Sequence, residues 1–360
     1  MNDPDFIFFK QLSESFGPSG FEREPLNLLK NYIKPYADEL ETDKLGSLLF
    51  TMNGDAEHPR IAVPGHIDEI GFITTGFTDA FIRFVNLGGW FDQILLGQRV
   101  RIRSTKGDLL GVIAGKPPHL ISPEDRKKVV NMKEMYIDIG CQNKEELEQL
   151  GIRLGDPIVP VSKCSLLHDN KTAMGKAFDD RVGVFVAALA CKKLKEEKIS
   201  HPNTVIGAAT TMEEVGARGA RTMAHVSNPD IAIICEVEIS GDIPDTRPGA
   251  APGKMGKGVA ILTYDRSMIP NPALKEFVIN TAKECKIPYQ LSLTATGGTD
   301  GGAIHLSRKG CPSIVLGVPT RHIHSPVSFF ALSDFDAAVQ LVIELIKKLD
   351  LNTVQSFTEF

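Results

Sequence analysis

The runs VGVFVAALACKKLK (182–195), TVIGAATT (204–211), GARGARTMAH (216–225) and DIAIIC (230–235) follow one another with only short joints between them. The first, a long apolar run that ends in lysines, and the third read as helices, whereas the second and fourth are short apolar runs of strand length. An unbroken run buries both faces of a strand, as in a sheet covered by helices on each side. Helix, strand, helix, strand in this order predicts an α/β domain with a largely buried sheet. The pattern extends in both directions. Towards the C-terminus a helix is predicted at Ala273–Glu284, a strand at Pro312–Leu316 and an amphipathic helix at Asp334–Leu349. Towards the N-terminus a helix is predicted at Pro25–Tyr36, with strands at Ser47–Met52 and Arg60–Pro64.

Between Phe72 and Val161 the texture changes. Short β-like runs at Phe81–Asn86, Arg99–Arg103, Leu109–Ala114 and Glu134–Ile139 are punctuated by Gly and Pro, and helical stretches are few. A small β-rich domain inserted into the α/β domain accounts for this, with residues 73–164 inside it and residues 1–72 and 165–360 outside.

The chain has 360 residues and a formal net charge of −5, with no basic stripe, which argues against a nucleic-acid partner. No apolar run approaches the roughly 18 residues of a membrane span. The start, MNDPDFIFFK, lacks the basic head and longer apolar core of a secretory signal. A cytoplasmic protein is expected. The six cysteines (141, 164, 191, 235, 285 and 311) contain no C-x-x-C pair and read as buried free thiols.

Five segments place acids or imidazoles beside predicted strands or helices, the edge where α/β sheets build their sites. In PGHIDE (64–69), His66 and Asp68 are two apart and share a side of an extended chain. That suits a metal ligand and the carboxylate that orients it; a turn histidine with solvated acids reads equally from this segment alone. In AFDDR (177–181), Asp179 and Asp180 precede a helix, either as caps drawn to the positive end of its dipole or as a bridging carboxylate with Asp180 or Arg181 fixing its surroundings. In TTMEEVG (210–216), Glu213 and Glu214 stand at a strand-to-helix junction, where one acid binds metal and the other serves as general base, or where both cap. In CEVE (235–238), Glu236 follows an apolar run and is costly to bury unpaired. In RHIHSP (321–326), His322 and His324 share a face, as they also do in a surface loop. Each segment is weak alone. Their co-occurrence around one sheet favours a metal site, and a nitrogen–oxygen donor set without thiolates suits zinc, cobalt or manganese.

Absences narrow the chemistry. The chain has no H-E-x-x-H helix, no G-x-S-x-G elbow and no phosphate loop. GKMGKG (253–258) reads as a loop, and GGTDGG (297–302) as a tight loop before a helix.

At these segments the sequence resembles the tetrahedral aminopeptidases, a group that includes glutamyl aminopeptidases (metallopeptidase family 42). The resemblance runs nearly end to end, through FGPSGFE (16–22), GHIDEIG (65–71), GKPPHL (115–120), IDIG (137–140), EEVGARGA (213–220) and RHIHSP (321–326). It implies an α/β peptidase domain with a central mixed sheet and an inserted β-barrel-like domain. It implies one divalent metal on His66, Asp179 and Glu236 and another on Asp179, Glu214 and His324, so that Asp179 bridges, with a cis bond to Asp180. Glu213 is then the general base acting on the water between the metals, and Asp68 orients His66. The substrate is a peptide with a free N-terminus, and the assembly is a homo-oligomer, commonly a tetrahedral dodecamer. One position departs from the family pattern: Glu236 stands where Asp is usual, which puts the metal preference of that site in question, with Glu238 as a weaker substitute.

Two other functions compete with the aminopeptidase. A glycoside hydrolase would use paired carboxylates without metals, but the single tryptophan, Trp90, offers little surface for stacking a sugar. A non-catalytic peptide-binding scaffold would read Glu236 as the first sign of decay.

Overall fold

The structure is a computed structural model and describes residues 1, 3–247 and 249–359. Among these, eleven strands form one mixed sheet, with the order Glu39–Thr42, Leu48–Asn53, Thr204–Thr210, Arg60–His66, Ile231–Ile239, Ser313–Arg321, Ser328–Ala331, Thr172–Gly175 and Ser165–Leu166. Val259–Asp265 adds to Ser313–Arg321 off this path and carries Tyr289–Thr294 beyond it. The four central strands, from Thr204–Thr210 to Ser313–Arg321, run parallel, so their C-terminal ends share one edge.

The central strands are apolar because both faces are covered. Along Ile231–Ile239 the side chains of Ile231, Ile233 and Cys235 join the cluster beneath helices Phe178–Glu196 and Leu332–Lys348. Those of Ala232 and Ile234 point the other way, to Ala220, Met223 and Ala224 of helix Arg218–Ser227. Alternation of Cβ direction thus assigns one strand to two cores. Each fully buried Ile or Leu contributes on the order of 1.5–3 kcal/mol.

The predicted helices and strands of this domain are present, and two strands run longer than expected. Ile231–Ile239 passes beyond Cys235, and Ser313–Arg321 beyond Leu316. In the first case an apolar reading stops at Glu236, yet the strand continues because each acid has a place to face. Glu236 looks towards the strand edge, and Glu238 accepts hydrogen bonds from the hydroxyls of Ser292 and Thr294.

The inserted region closes into a six-stranded barrel: Gly71–Thr78, Phe81–Leu87, Tyr136–Asp138, Gly107–Ala114, Arg99–Ser104 and Pro157–Pro160, the last pairing back to the first. Closure leaves no free edge among these strands. Its separate core contains Phe72, Ile82, Phe84, Val100, Ile102, Ile137 and Ile158. Among the described residues no helix is long and apolar enough to cross a membrane. All six cysteines are free; four are buried, whereas Cys141 and Cys285 are half-buried, a departure from the expectation for those two.

Candidate metal centre

The C-terminal edge of the parallel strands gathers the side chains singled out in the sequence. His66 ends strand Arg60–His66, Glu213 and Glu214 follow Thr204–Thr210, Glu236 lies within Ile231–Ile239, and His324 follows Ser313–Arg321 in the left-handed conformation (φ 56°). Asp179 sits at the start of helix Phe178–Glu196, where the Asp179–Asp180 peptide bond is cis. That helix start comes close to the sheet because Gly183 and Gly65 have no Cβ. One on Gly183 would lie 2.3 Å from the Cys235 carbonyl oxygen, and one on Gly65 would lie 2.5 Å from the Val184 nitrogen.

Two triads result. The donor atoms of His66, Asp179 and Glu236 lie within 4.8 Å of one another, and so do those of Asp179, Glu214 and His324. Asp179 belongs to both through different oxygens: Oδ1 is 3.0 Å from His66 Nε2, and Oδ2 is 3.3 Å from His324 Nε2. Glu236 Oε1 approaches His66 Nε2 to 3.5 Å, so the longer side chain reaches the triad from a strand position. Glu238 joins neither group, since its carboxylate is occupied by Ser292 and Thr294. Glu213 stands beside the triads, with Oε2 3.8 Å from His66 Nε2. His322 packs its ring edge-on to Phe329 and points to neither triad.

A ring of hydrogen bonds fixes these positions. Asp68 accepts from the backbone nitrogens of Glu213 (3.0 Å) and Glu214 (3.2 Å) and from the Ser19 hydroxyl (2.6 Å), while its own carbonyl lies 3.2 Å from His66 Nδ1. Asp68 thus touches His66 through its backbone and holds the turn that carries both glutamates through its carboxylate. Asp180 accepts from the backbone nitrogens of His66 and Gly183. Arg181 is fully buried, pairs with Glu69 at 3.1 Å, and donates to the carbonyls of Leu12, Ser13 and Ser15. Lys176 meets both oxygens of the same Glu69, at 2.6 and 2.7 Å.

Crowded, buried acids make the centre electrostatically unbalanced without a cation. Burial pushes the Glu214 carboxyl up to about 8, with Asp179 adding to the rise and His324 and His66 opposing it. Burial likewise holds Glu213 well above the usual carboxylate range, against the pull of His66. His324 is raised to about 10: burial works against the rise, and its contacts with Asp179 outweigh burial. Glu214 Oε1 and Glu236 Oε2 are buried with no hydrogen-bond partner, an arrangement costly for polar atoms unless a ligand completes it. Two unpartnered carboxylate oxygens, one in each imidazole–carboxylate triad, fit a pair of divalent cations.

The family model described as M42 glutamyl aminopeptidase matches residues 46–341. The chain belongs to the M42 peptidase family. Its fold superimposes on the TET aminopeptidase of the marine sediment archaeon Thaumarchaeota archaeon SCGC AB-539-E09 with a TM-score of 0.97 at 54% identity, covering 99% of each chain. It is similar also to the Pyrococcus horikoshii TET1 peptidase (TM-score 0.86, 32% identity, 96% of this chain and 100% of that one), which can assemble into a tetrahedron or a large octahedral shell. The glutamyl aminopeptidase of Lactococcus lactis subsp. cremoris is 31% identical over 98% of each chain.

Four residues bordering this M42 centre were not singled out by sequence reasoning. Asp300, in the loop GGTDGG, is buried, accepts from the Thr210 hydroxyl, and keeps Oδ1 without a partner. Burial raises it to about 7, with His66 and Thr210 opposing. Glu22 accepts from the backbone nitrogens of Gly20 and Met212 and so anchors the residue before Glu213. Gly88 and Gly89 of the barrel lie against Glu214 and His324. An acid inside a glycine-rich loop is the one signal that pointed at Asp300; the others depend on three-dimensional proximity.

Proposed function

We propose that this M42 family member removes N-terminal residues from peptides, with two divalent cations held by His66, Asp179, Glu236 and by Asp179, Glu214, His324. The observation that carries the reading is the division of Asp179, whose two oxygens face two different imidazoles. Zinc, cobalt or manganese suits these donors. When bound, such a pair supplies Lewis-acid polarisation of the scissile carbonyl and a lowered pKa for water at the site.

The remaining work falls to side chains of the chain. Glu213 takes the proton from the attacking water at its carboxylate and returns it to the leaving amine. Its backbone is fixed by Asp68 at 3.0 Å, so the base holds its aim through the cycle. The free N-terminal amine of the substrate would dock beside the cations, which makes the cleavage exo. Glu236 lies within its triad, which supports a working centre over a decayed scaffold. The free cysteines accord with a cytoplasmic location, and the assembly of the Pyrococcus horikoshii relative supports a homo-oligomer.

The test is Glu213→Gln. Turnover of amino-acid amides should fall by about 10²–10⁴-fold, the usual contribution of a general base, while metal content stays at the wild-type level. Retained turnover would overturn the assignment of the base.

A further inference from the structure

The two triads are supported by different parts of the molecule. His66 is held wholly within the α/β domain, with its ring Nδ1 3.2 Å from the Asp68 carbonyl. His324 instead has its ring Nδ1 2.8 Å from the carbonyl oxygen of Gly89, which belongs to the segment following barrel strand Phe81–Leu87. The neighbouring glycine touches the other ligand of the same triad: a Cβ on Gly88 would lie 3.0 Å from Glu214 Oε2 and 3.2 Å from Glu214 Cβ. A Cβ on Gly89 would lie 2.9 Å from His324 Nδ1 and 3.2 Å from its Cε1. Among the described residues, the barrel's hydrogen bonds and glycine contacts reach Glu214 and His324, and they do not reach His66, Asp179 or Glu236.

We propose that the barrel segment Gly88–Gly89 sets cation affinity at the Asp179–Glu214–His324 triad and leaves the His66–Asp179–Glu236 triad independent of it. The inference rests on the two-cation reading of the centre. An imidazole that donates its far N–H to a carbonyl has its tautomer and ring direction fixed, and loss of such a partner typically costs about 10–100-fold in metal affinity. The His324 side chain is 41% exposed, against 1% for His66, so packing alone holds it less firmly. The Gly89 carbonyl is the buttress that burial supplies for His66. Gly88–Gly89 is therefore a positioning element contributed by the inserted domain, and it makes the second triad the weaker and separately adjustable one.

Gly89→Ala tests this. Gly89 does not occupy the left-handed region, so an added methyl meets the His324 ring and no backbone penalty. Gly76→Ala, elsewhere in the barrel with nothing within 4 Å of its built Cβ, is the control. Apo-protein of each variant is titrated calorimetrically with zinc, and metal content is measured after dialysis. The wild type and Gly76→Ala should bind two equivalents. Gly89→Ala should bind the first equivalent as the wild type does and the second about 10–100-fold more weakly. Trp90, the single tryptophan, adjoins the segment, stacks on Phe72 at 4.6 Å and donates to the Gly71 carbonyl, so its emission reports whether the segment keeps its place. Two wild-type affinities in Gly89→Ala, or equal weakening of both, overturns the proposal. A wild type that binds fewer than two equivalents overturns the two-cation reading itself.

Discussion

The central sheet and the barrel are both β-structures with their own apolar cores, yet they meet the centre in different ways. The sheet and the helices that follow its strands contribute every candidate ligand and the candidate base; the barrel contributes the carbonyl of Gly89 and, at Gly88, a missing side chain whose place Glu214 and Ile70 take. Parallel strands align their C-terminal ends on one edge, so side chains distant in sequence converge there. Barrel closure pairs the edges of the inserted strands and leaves their connections free to reach outward. One architecture places chemistry, and the other adjusts it.

That division can be broken or sharpened experimentally. The largest effect should follow metal removal: chelator treatment should abolish peptide hydrolysis, and zinc or cobalt should restore it, with the far-ultraviolet circular dichroism unchanged throughout. Activity that survives in verified metal-free protein would remove the sheet's acids from their assigned role. Next in size is Glu69→Gln, which leaves Lys176 and Arg181 buried without their shared carboxylate. Denaturant titration should show a loss of about 3–5 kcal/mol, as when one partner of a buried pair is removed.

Core truncations compare the two regions directly. Ile233→Ala in the sheet and Ile158→Ala in the barrel, both fully buried, should each cost about 2–5 kcal/mol. Calorimetric zinc titration should find the first equivalent unaffected by Ile158→Ala; a large loss there would show that the barrel supports both triads. The smallest effect is a pH trend. Burial lowers Lys176 to about 8, with Glu69 opposing, against 10.5 for a free lysine. Between those values the unfolded chain binds more protons than the folded one, so this group's contribution to stability rises as pH climbs from about 8 towards 10.5. The difference in denaturation midpoint between wild type and Lys176→Met, followed across that window, reads it.

The sheet was legible from sequence because its central strands are unbroken apolar runs with acids or imidazoles close behind. His66, Glu213, Glu214 and His324 stood behind such runs, and Asp179 just before a predicted helix. Glu236 was assigned to the end of a strand and lies inside one, since apolar patterning stops at a charge whatever the backbone does next. Helix Asp3–Glu14 was not anticipated: it starts with acids, and its buried Phe9 and Leu12 gain meaning only against Phe178 and Phe330. Short strands such as Thr172–Gly175 and Ser328–Ala331 are too brief to show a period. Gly88 and Gly89 escaped for a different reason. Their role is to leave room, and residues from distant parts of the chain fill it.

Asp179, common to both triads, also ties the centre to the order in which the chain is made. Domains form from the N-terminus as synthesis proceeds. The barrel strands are complete at Pro160 and the first triad at Glu236, but the second waits for His324. During that interval the same carboxylate faces one imidazole and lacks the other. A cation held at that stage would rest on His66, Asp179 and Glu236, and only the arrival of His324 would give Asp179 its second imidazole.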